Sequence, residues 1–193
     1  MKVTGFVGSP RKNGNTAALV FKVLEGAEKA GAETELVYLC DYDFKDCQGC
    51  MHCKSSDSCR LEDGMQELYD KIRFSDAIVF GTPVYFSQMS GLMKNFIDRM
   101  YALIDREYNS RIDAGIKYSV VMTQGNPNRA AFRDITKTFD FAMHFFEGVN
   151  SGWVVAGGLA KPKDVLEQED ILDEAFETGI KLAGQNNSEE TGI

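Results

Sequence analysis

Five short apolar runs, each followed by a longer stretch of helical period, constrain the fold of this chain more than any other feature. The runs cover residues 3–7, 35–39, 76–81, 117–123 and 152–157, and helical patterns fill about 16–30, 65–73, 89–101, 132–146 and 164–183. The third run, DAIVFG, is almost unbroken in apolar character, which suits a strand buried on both faces. Strands alternating with crossover helices predict an α/β protein built on a parallel, doubly wound sheet of five strands. A length of 193 residues holds one such domain and is short for two. No repeat or linker divides the chain. Residues 1–184 are therefore read as a single domain, and residues 185–193 as a flexible tail.

In open parallel sheets, ligands bind beyond the carboxyl ends of the strands, so the loops after the strands are the places to search. The first is GSPRKNGNT, residues 8–16. Ser9, Asn13, Asn15 and Thr16 offer hydrogen-bonding side chains, Gly8 and Gly14 let the backbone bend around an anion, and the helix beyond adds free N–H groups. A nucleoside-triphosphate loop needs Lys and then Ser or Thr after its second glycine, and Asn15 stands there instead. The dinucleotide pattern G-x-G-x-x-G is missing as well. What remains suits one terminal phosphate with Arg11 as its charge partner. The plainer alternative is a polar loop that merely caps a helix.

The loop after the third run, TPVYFSQMSGLMKNFIDRM, begins with Thr82, Pro83, Val84, Tyr85 and Phe86, two aromatics beside a proline-stiffened turn. A flat aromatic ligand packs well on such a segment. The helix that follows carries Met89, Leu92, Met93, Phe96, Ile97, Met100 and Tyr101 on one stripe, which reads as core or as a subunit interface.

Net charge and hydropathy exclude several functions. The formal charge is −8, which argues against a nucleic-acid partner, since that would favour a basic face. No run of eighteen apolar residues suggests a membrane span, and MKVTGFVGSP lacks the regions of a signal peptide. A cytoplasmic location is expected. There, clustered cysteines more often bind metal or do redox work than form disulfide staples.

The strand–GSPRxxxNT start, the TPVYF–SGxMKNFIDR stretch and the alternating pattern together resemble the flavodoxin-like NAD(P)H-dependent FMN reductase family over about residues 1–160. With cysteines clustered after the second strand, the chain looks like the iron–sulfur flavoprotein branch of that family. The resemblance implies a flavodoxin-like sheet of order 2-1-3-4-5 with a cysteine-rich insertion at about residues 40–62. It implies FMN, with its phosphate on Ser9, Arg11, Asn13, Asn15 and Thr16 and its ring along Pro83, Val84, Tyr85 and Phe86. Further ring contacts are implied from the loop after the fourth strand, at Thr123, Gly125 and Asn126.

The insertion itself, CQGCMHCKSSDSC, has the spacing C-x2-C-x2-C-x5-C. Cys47, Cys50 and Cys53 lie in a tight run, and with no second cysteine set in the chain Cys59 is free to close the same site. That arrangement suits the four corners of a [4Fe–4S] cube. Zinc is less well served, because structural zinc usually draws two C-x2-C pairs from separated segments. An empty, reduced loop is the plain alternative, and a dithiol switch needs only two of the four. Met51 and His52 depart from the small residues expected in this branch, as Glu62-Asp63-Gly64 does from its acidic pair. Cys40, outside the pattern, reads as a small buried hydrophobe.

The expected function is electron transfer between a reduced carrier, such as ferredoxin or NAD(P)H, and a small-molecule acceptor. The cofactors would do the chemistry, and no side chain is assigned as catalytic. The alternatives are a cluster-free NAD(P)H-dependent FMN or quinone reductase and a non-enzymatic flavodoxin-like carrier. In a 2-1-3-4-5 sheet a centre after strand two is expected toward the phosphate end of FMN. Phe132, Phe139, Phe141, Phe145 and Phe146 lie on more than one face of the fourth helix, so a homodimer or homotetramer built partly on helices three and four is expected, with the residue 101–115 loop as the alternative cover.

Overall fold

A computed structural model describes residues 1–184, and the tail expected at 185–193 lies outside the described residues. Strands β1 (Lys2–Val7), β2 (Glu33–Tyr38), β3 (Ala77–Tyr85), β5 (Lys117–Thr123) and β6 (Val149–Ala156) form the parallel sheet in the order β2-β1-β3-β5-β6. Helices α1 (Asn15–Lys29), α2 (Met65–Arg73), α3 (Gly91–Arg99), α4 (Ile135–His144) and α5 (Glu169–Ala183) make the crossovers and the final return. The five parallel strands keep the expected order. A two-residue strand, β4 (Gln88–Met89), is added antiparallel to the end of β3.

Alternation along each strand divides the core in two. Val3, Val7, Ala77, Val79, Val121 and Val154 pack under α1 and α5. Phe6, Ile78, Phe80, Val120 and Met122 pack under α2, α3 and α4. On the second face Phe96 lies 4.8 Å from Phe6 and 6.5 Å from Phe80, and Phe139 lies 5.4 Å from Phe80, ring centroid to centroid. On the first face, α1 and α5 touch backbone to backbone. A Cβ added at Gly179 would stand 1.9 Å from the Val23 carbonyl oxygen, and one at Gly26 2.0 Å from that of Phe176.

Several boundaries differ from the sequence pattern. β3 does not stop at Gly81 but runs on to Tyr85, because Val84 and Tyr85 pair with Met89 and Gln88 across a tight turn. Phe86 and Ser87 form that turn with φ of 46° and 64°, the left-handed geometry of a two-residue hairpin made without glycine. α3 tightens into a 3-10 turn (Met100–Leu103) instead of continuing to residue 101 as regular helix. The last helical stretch is broken: a separate turn, Asp164–Glu167, precedes α5, and Gln168 at the break donates to the Gly157 carbonyl at 2.9 Å. Cys40, expected to be buried, is exposed, since it follows Leu39 in a single turn whose inward position Leu39 takes.

Between β2 and α2 the chain makes an excursion of irregular structure. It leaves and returns at one point, where Gly64 N–H donates to the Asp43 carbonyl at 2.9 Å.

Candidate functional site

At the carboxyl edge of the sheet, β1 runs straight into the first loop: Gly8 N–H donates to the Gly81 carbonyl at 2.7 Å, extending the β1–β3 ladder by one step. Ser90 fixes that loop to α3. Its hydroxyl donates to the Gly8 carbonyl at 2.5 Å and accepts from the Met93 N–H at 3.1 Å, so it caps α3 as it holds the loop. α1 starts after Gly14 with no side-chain cap, which leaves first-turn N–H groups free at the edge of the sheet.

An open cleft of ≈ 540 Å³ lies over this edge. Ser9, Arg11, Asn15 and Thr16 line one end, Pro83, Val84 and Tyr85 one wall, and Thr123 and Gly125 the floor beyond β5. These nine residues come from three loops that sequence reasoning singled out separately. Three others do not line the cleft. Asn13 faces a neighbouring surface hollow with Lys12 and Tyr38. Phe86 stands fully exposed at the hairpin tip, because the left-handed turn swings it outward. Asn126 is spent on its own loop, its side-chain oxygen accepting from Asn128 N–H at 2.9 Å.

The structure adds residues that the pattern missed. Gln124 is buried in the cleft wall and donates to the Asn126 and Asn128 carbonyls at 2.9 and 2.7 Å, which leaves its Oε1 without a partner. The loop after β6 closes the end lined by Ser9, Arg11, Asn15 and Thr16 with Leu159, Ala160, Lys161 and Pro162. Asn15 ties it down, donating to the Lys161 carbonyl at 2.8 Å and accepting from Val165 N–H at 3.1 Å. Lys161 thereby joins Arg11 as a second cation at that end. Their common signal was position, at the carboxyl end of a parallel strand. An uncapped helix N-terminus with two cations beside an apolar wall fits a phosphate joined to a flat ring.

The excursion carries the cysteines. It leaves beside the first loop, where Lys12 pairs with Asp41 at 2.6 Å, but does not stay there. It packs instead on the far end of α3: Lys54 donates to the Tyr101 and Ile104 carbonyls, and Arg111 to the Ser56 and Ala102 carbonyls. The centre expected near the phosphate loop is thus carried away from it. Ser90 and Arg99 stand at opposite ends of α3, whose nine residues span about 13 Å at 1.5 Å each.

Cys47, Cys50, Cys53 and Cys59 all line one small hollow at that far end, together with Arg99, Tyr101 and Ala102. Among the described residues no three His, Cys, Asp or Glu side chains converge tightly enough for a single metal ion. Four thiols spread around one hollow fit a group with several metal corners better than they fit zinc. Burial pushes the Cys53 thiol up, and Lys54 and Arg111 pull against that rise. Arg60 and Arg99 line this cavity, and Lys54 and Arg111 brace the loop from outside it, a set of cations suited to a multiply charged anion. An apolar groove of ≈ 1020 Å³ between α3 and α4 adjoins this cavity, with Cys47 lining both. Phe139 and Phe146 are buried under α4, Phe145 is partly covered by Tyr108 from the 101–115 loop at 6.2 Å, and Phe141 stays 68% exposed.

Among the described residues no helix is long and apolar enough to cross a membrane. The family described as NADPH-dependent FMN reductase matches residues 1–150. An iron–sulfur flavoprotein of Methanocaldococcus jannaschii is 40% identical over 187 residues, covering 95% of this chain and 96% of that one. An iron–sulfur flavoprotein of Archaeoglobus fulgidus is 36% identical over 124 residues, and there the match spans 61% of each chain. In structure, an NAD(P)H:quinone oxidoreductase from Methanothermobacter marburgensis superimposes with a TM-score of 0.74 at 21% identity, covering 94% of this chain and 98% of that one, which shows a shared fold. Matched over most of its length by the family, and aligned nearly end to end with an iron–sulfur flavoprotein, the chain belongs to the NADPH-dependent FMN reductase family, in its iron–sulfur flavoprotein branch.

Proposed function

We propose that this chain, an FMN-dependent oxidoreductase by family, works as a two-centre electron-transfer protein, with FMN in the sheet-edge cleft and a [4Fe–4S] cluster on Cys47, Cys50, Cys53 and Cys59. The observation that carries the reading is the gathering of all four cysteines around one cation-framed cavity separate from the cleft. FMN exchanges a hydride or single electrons and an iron–sulfur cluster exchanges single electrons, so a protein holding both connects two-electron and one-electron carriers. The protein's own part is placement. Arg11, Ser9, Thr16 and the free end of α1 bind the phosphate, while Pro83, Val84, Tyr85 and Gly125 flank the ring. His52 and His144 are exposed and line neither cavity, so no acid or base is assigned to them.

The donor is a reduced carrier such as ferredoxin or NAD(P)H, and the acceptor a small molecule. Residues 1–184 act as one FMN-binding domain in a reducing, cytoplasmic setting, which keeps the cysteines out of disulfides and available as ligands. Exposed Phe86 and Phe141 and the apolar groove beside Cys47 support a homodimer or homotetramer built on α3 and α4. Such an assembly brings a neighbour's flavin to the cysteine centre, which in one chain lies at the opposite end of α3 from the first loop.

Anaerobic purification followed by flavin, iron and sulfide analysis and EPR of the reduced protein tests the reading. FMN with iron and sulfide in equal amounts, near four of each per chain, is expected. FMN without iron after reconstitution would leave a cluster-free reductase, and absence of turnover with NAD(P)H, ferredoxin or quinones would leave a carrier.

A further inference from the structure

Arg99 is the largest fully buried side chain of the described residues, in a chain with a net charge of −8. Taking a guanidinium out of water costs several kcal/mol unless its donors are satisfied. Asp63 satisfies part of that demand: Arg99 NH1 and NH2 donate to its two carboxylate oxygens at 2.8 and 3.0 Å, and NH1 also donates to the Lys45 carbonyl at 2.6 Å. The Nε–H has no partner. Arg99 lines the cavity of the four cysteines, and Asp63 does not, so the positive end of the pair is the one turned toward the thiols.

Asp63 also accepts from the backbone N–H groups of Lys45 and Met65, each at 3.1 Å. The pair therefore clamps the chain just before Cys47 and just after Cys59. Tyr69 completes the support, donating its hydroxyl to the Arg99 carbonyl at 2.9 Å. A buried cation with an unused donor, held at the wall of a thiol-lined cavity, is built to face an anion.

We propose that Arg99, oriented by Asp63, is the positioning residue that sets the reduction potential of the cysteine centre. This rests on the reading of the four cysteines as ligands of an iron–sulfur cluster. One electron enters the centre on reduction, no bond is made or broken, no proton moves, and the charge at the cysteines becomes more negative by one. A fixed cation at the cavity wall stabilises the more negative state and so raises the potential. The Asp63 carboxylate, outside the cavity lining behind Arg99, opposes it.

The test is anaerobic spectroelectrochemistry of the iron-loaded protein, with iron content measured on the same samples and dithionite as the reductant. Arg99→Met should lower the equilibrium constant for one-electron reduction at least tenfold, a fall of 59 mV for n = 1. Asp63→Asn should shift the potential upward, and Arg99→Lys should restore most of the Arg99→Met loss. Opposite signs separate a field effect from a loosened loop, which would lower iron content in both variants and move both potentials the same way. Shifts of one sign, or none, overturn the proposal. Where Arg99→Met fails to hold iron, Asp63→Asn and Arg99→Lys decide it by the same criterion. Wild-type protein that takes up no iron on reconstitution overturns the cluster reading itself, and this is distinguishable from an iron-loaded protein whose potential ignores residue 99.

Discussion

Thr16 and Thr123 meet on the floor of the cleft with hydroxyl oxygens 2.7 Å apart, joining the first turn of α1 to the last residue of β5. Both are buried, and 107 positions separate them in the chain. The contact fixes the helix that presents free N–H groups against the strand whose last residue lines the same cleft.

Replacing one hydroxyl leaves the other buried without a partner. Thr123→Val should cost about 1–3 kcal/mol in the apoprotein, and the Thr16→Val/Thr123→Val double variant should recover much of that loss, because both polar groups are then gone. Urea denaturation in a double-mutant cycle measures it. Additive losses would mean that the two hydroxyls do not depend on each other.

Arg11 is exposed and lines the cleft, and in the proposed reading it makes a charge-assisted bond to the FMN phosphate. Arg11→Ala should weaken FMN binding by about 1.5–3 kcal/mol in a flavin-fluorescence titration. Unchanged affinity removes Arg11 from the site, and copurified FAD removes the single-phosphate assignment.

The two cavities share no lining residue. Serine at Cys47, Cys50, Cys53 or Cys59 should therefore deplete iron while FMN stays bound, and Cys40→Ser should keep both. Retained iron in Cys59→Ser would point to a different fourth ligand, with exposed His52 the first candidate.

Gly179→Ala should be among the most damaging single-methyl changes in the molecule. The new Cβ would meet the Val23 carbonyl oxygen at 1.9 Å and the Ala27 nitrogen at 2.8 Å, both backbone atoms that no rotamer change can move. A loss of about 3 kcal/mol or more is expected in chemical denaturation. FMN affinity should fall with it, since α1 has to shift and its N-terminus lies at the cleft. Wild-type stability would mean that α1 and α5 do not hold this close approach.

Burial alone would raise the Asp63 carboxyl, but the Arg99 guanidinium and the Lys45 and Met65 N–H groups overcome it and hold the group below its ordinary value. A depressed carboxyl stabilises the fold above its unfolded value of about 3.9, and that contribution is lost as pH falls through the folded value. The stability gap between wild type and Asp63→Asn should thus be flat near neutrality, about 3 kcal/mol for a broken buried pair, and should close below about pH 4. A gap that persists unchanged into stronger acid would show that the Asp63 charge is not its source.

The parallel strands and their order were legible because each buried strand is a compact apolar run between helical patterns, and a doubly wound sheet follows from that alternation. The end of β3 was not, because Phe86 and Ser87 adopt a turn that pattern reading associates with Asn-Gly. In the cleft, the first and third loops advertised themselves by composition, whereas Gln124 sits unsignalled between Thr123 and Gly125 in a loop marked only by resemblance, and Lys161 lies in a segment whose sequence reads only as turn. Asn15 was read as a ligand group, yet both its polar atoms are engaged by Lys161 and Val165, about 150 positions away. Arg99 stayed hidden for the same reason: an arginine on a helix reads as solvated until Asp63, 36 residues earlier, is known to meet it.

Because the chain departs at Asp43 and comes back at Gly64 with those two residues hydrogen-bonded, the twenty residues between are a detachable module on a flavin-binding chassis. Neither the sheet nor the cleft takes a residue from that segment, so its length and composition can change without either being rebuilt.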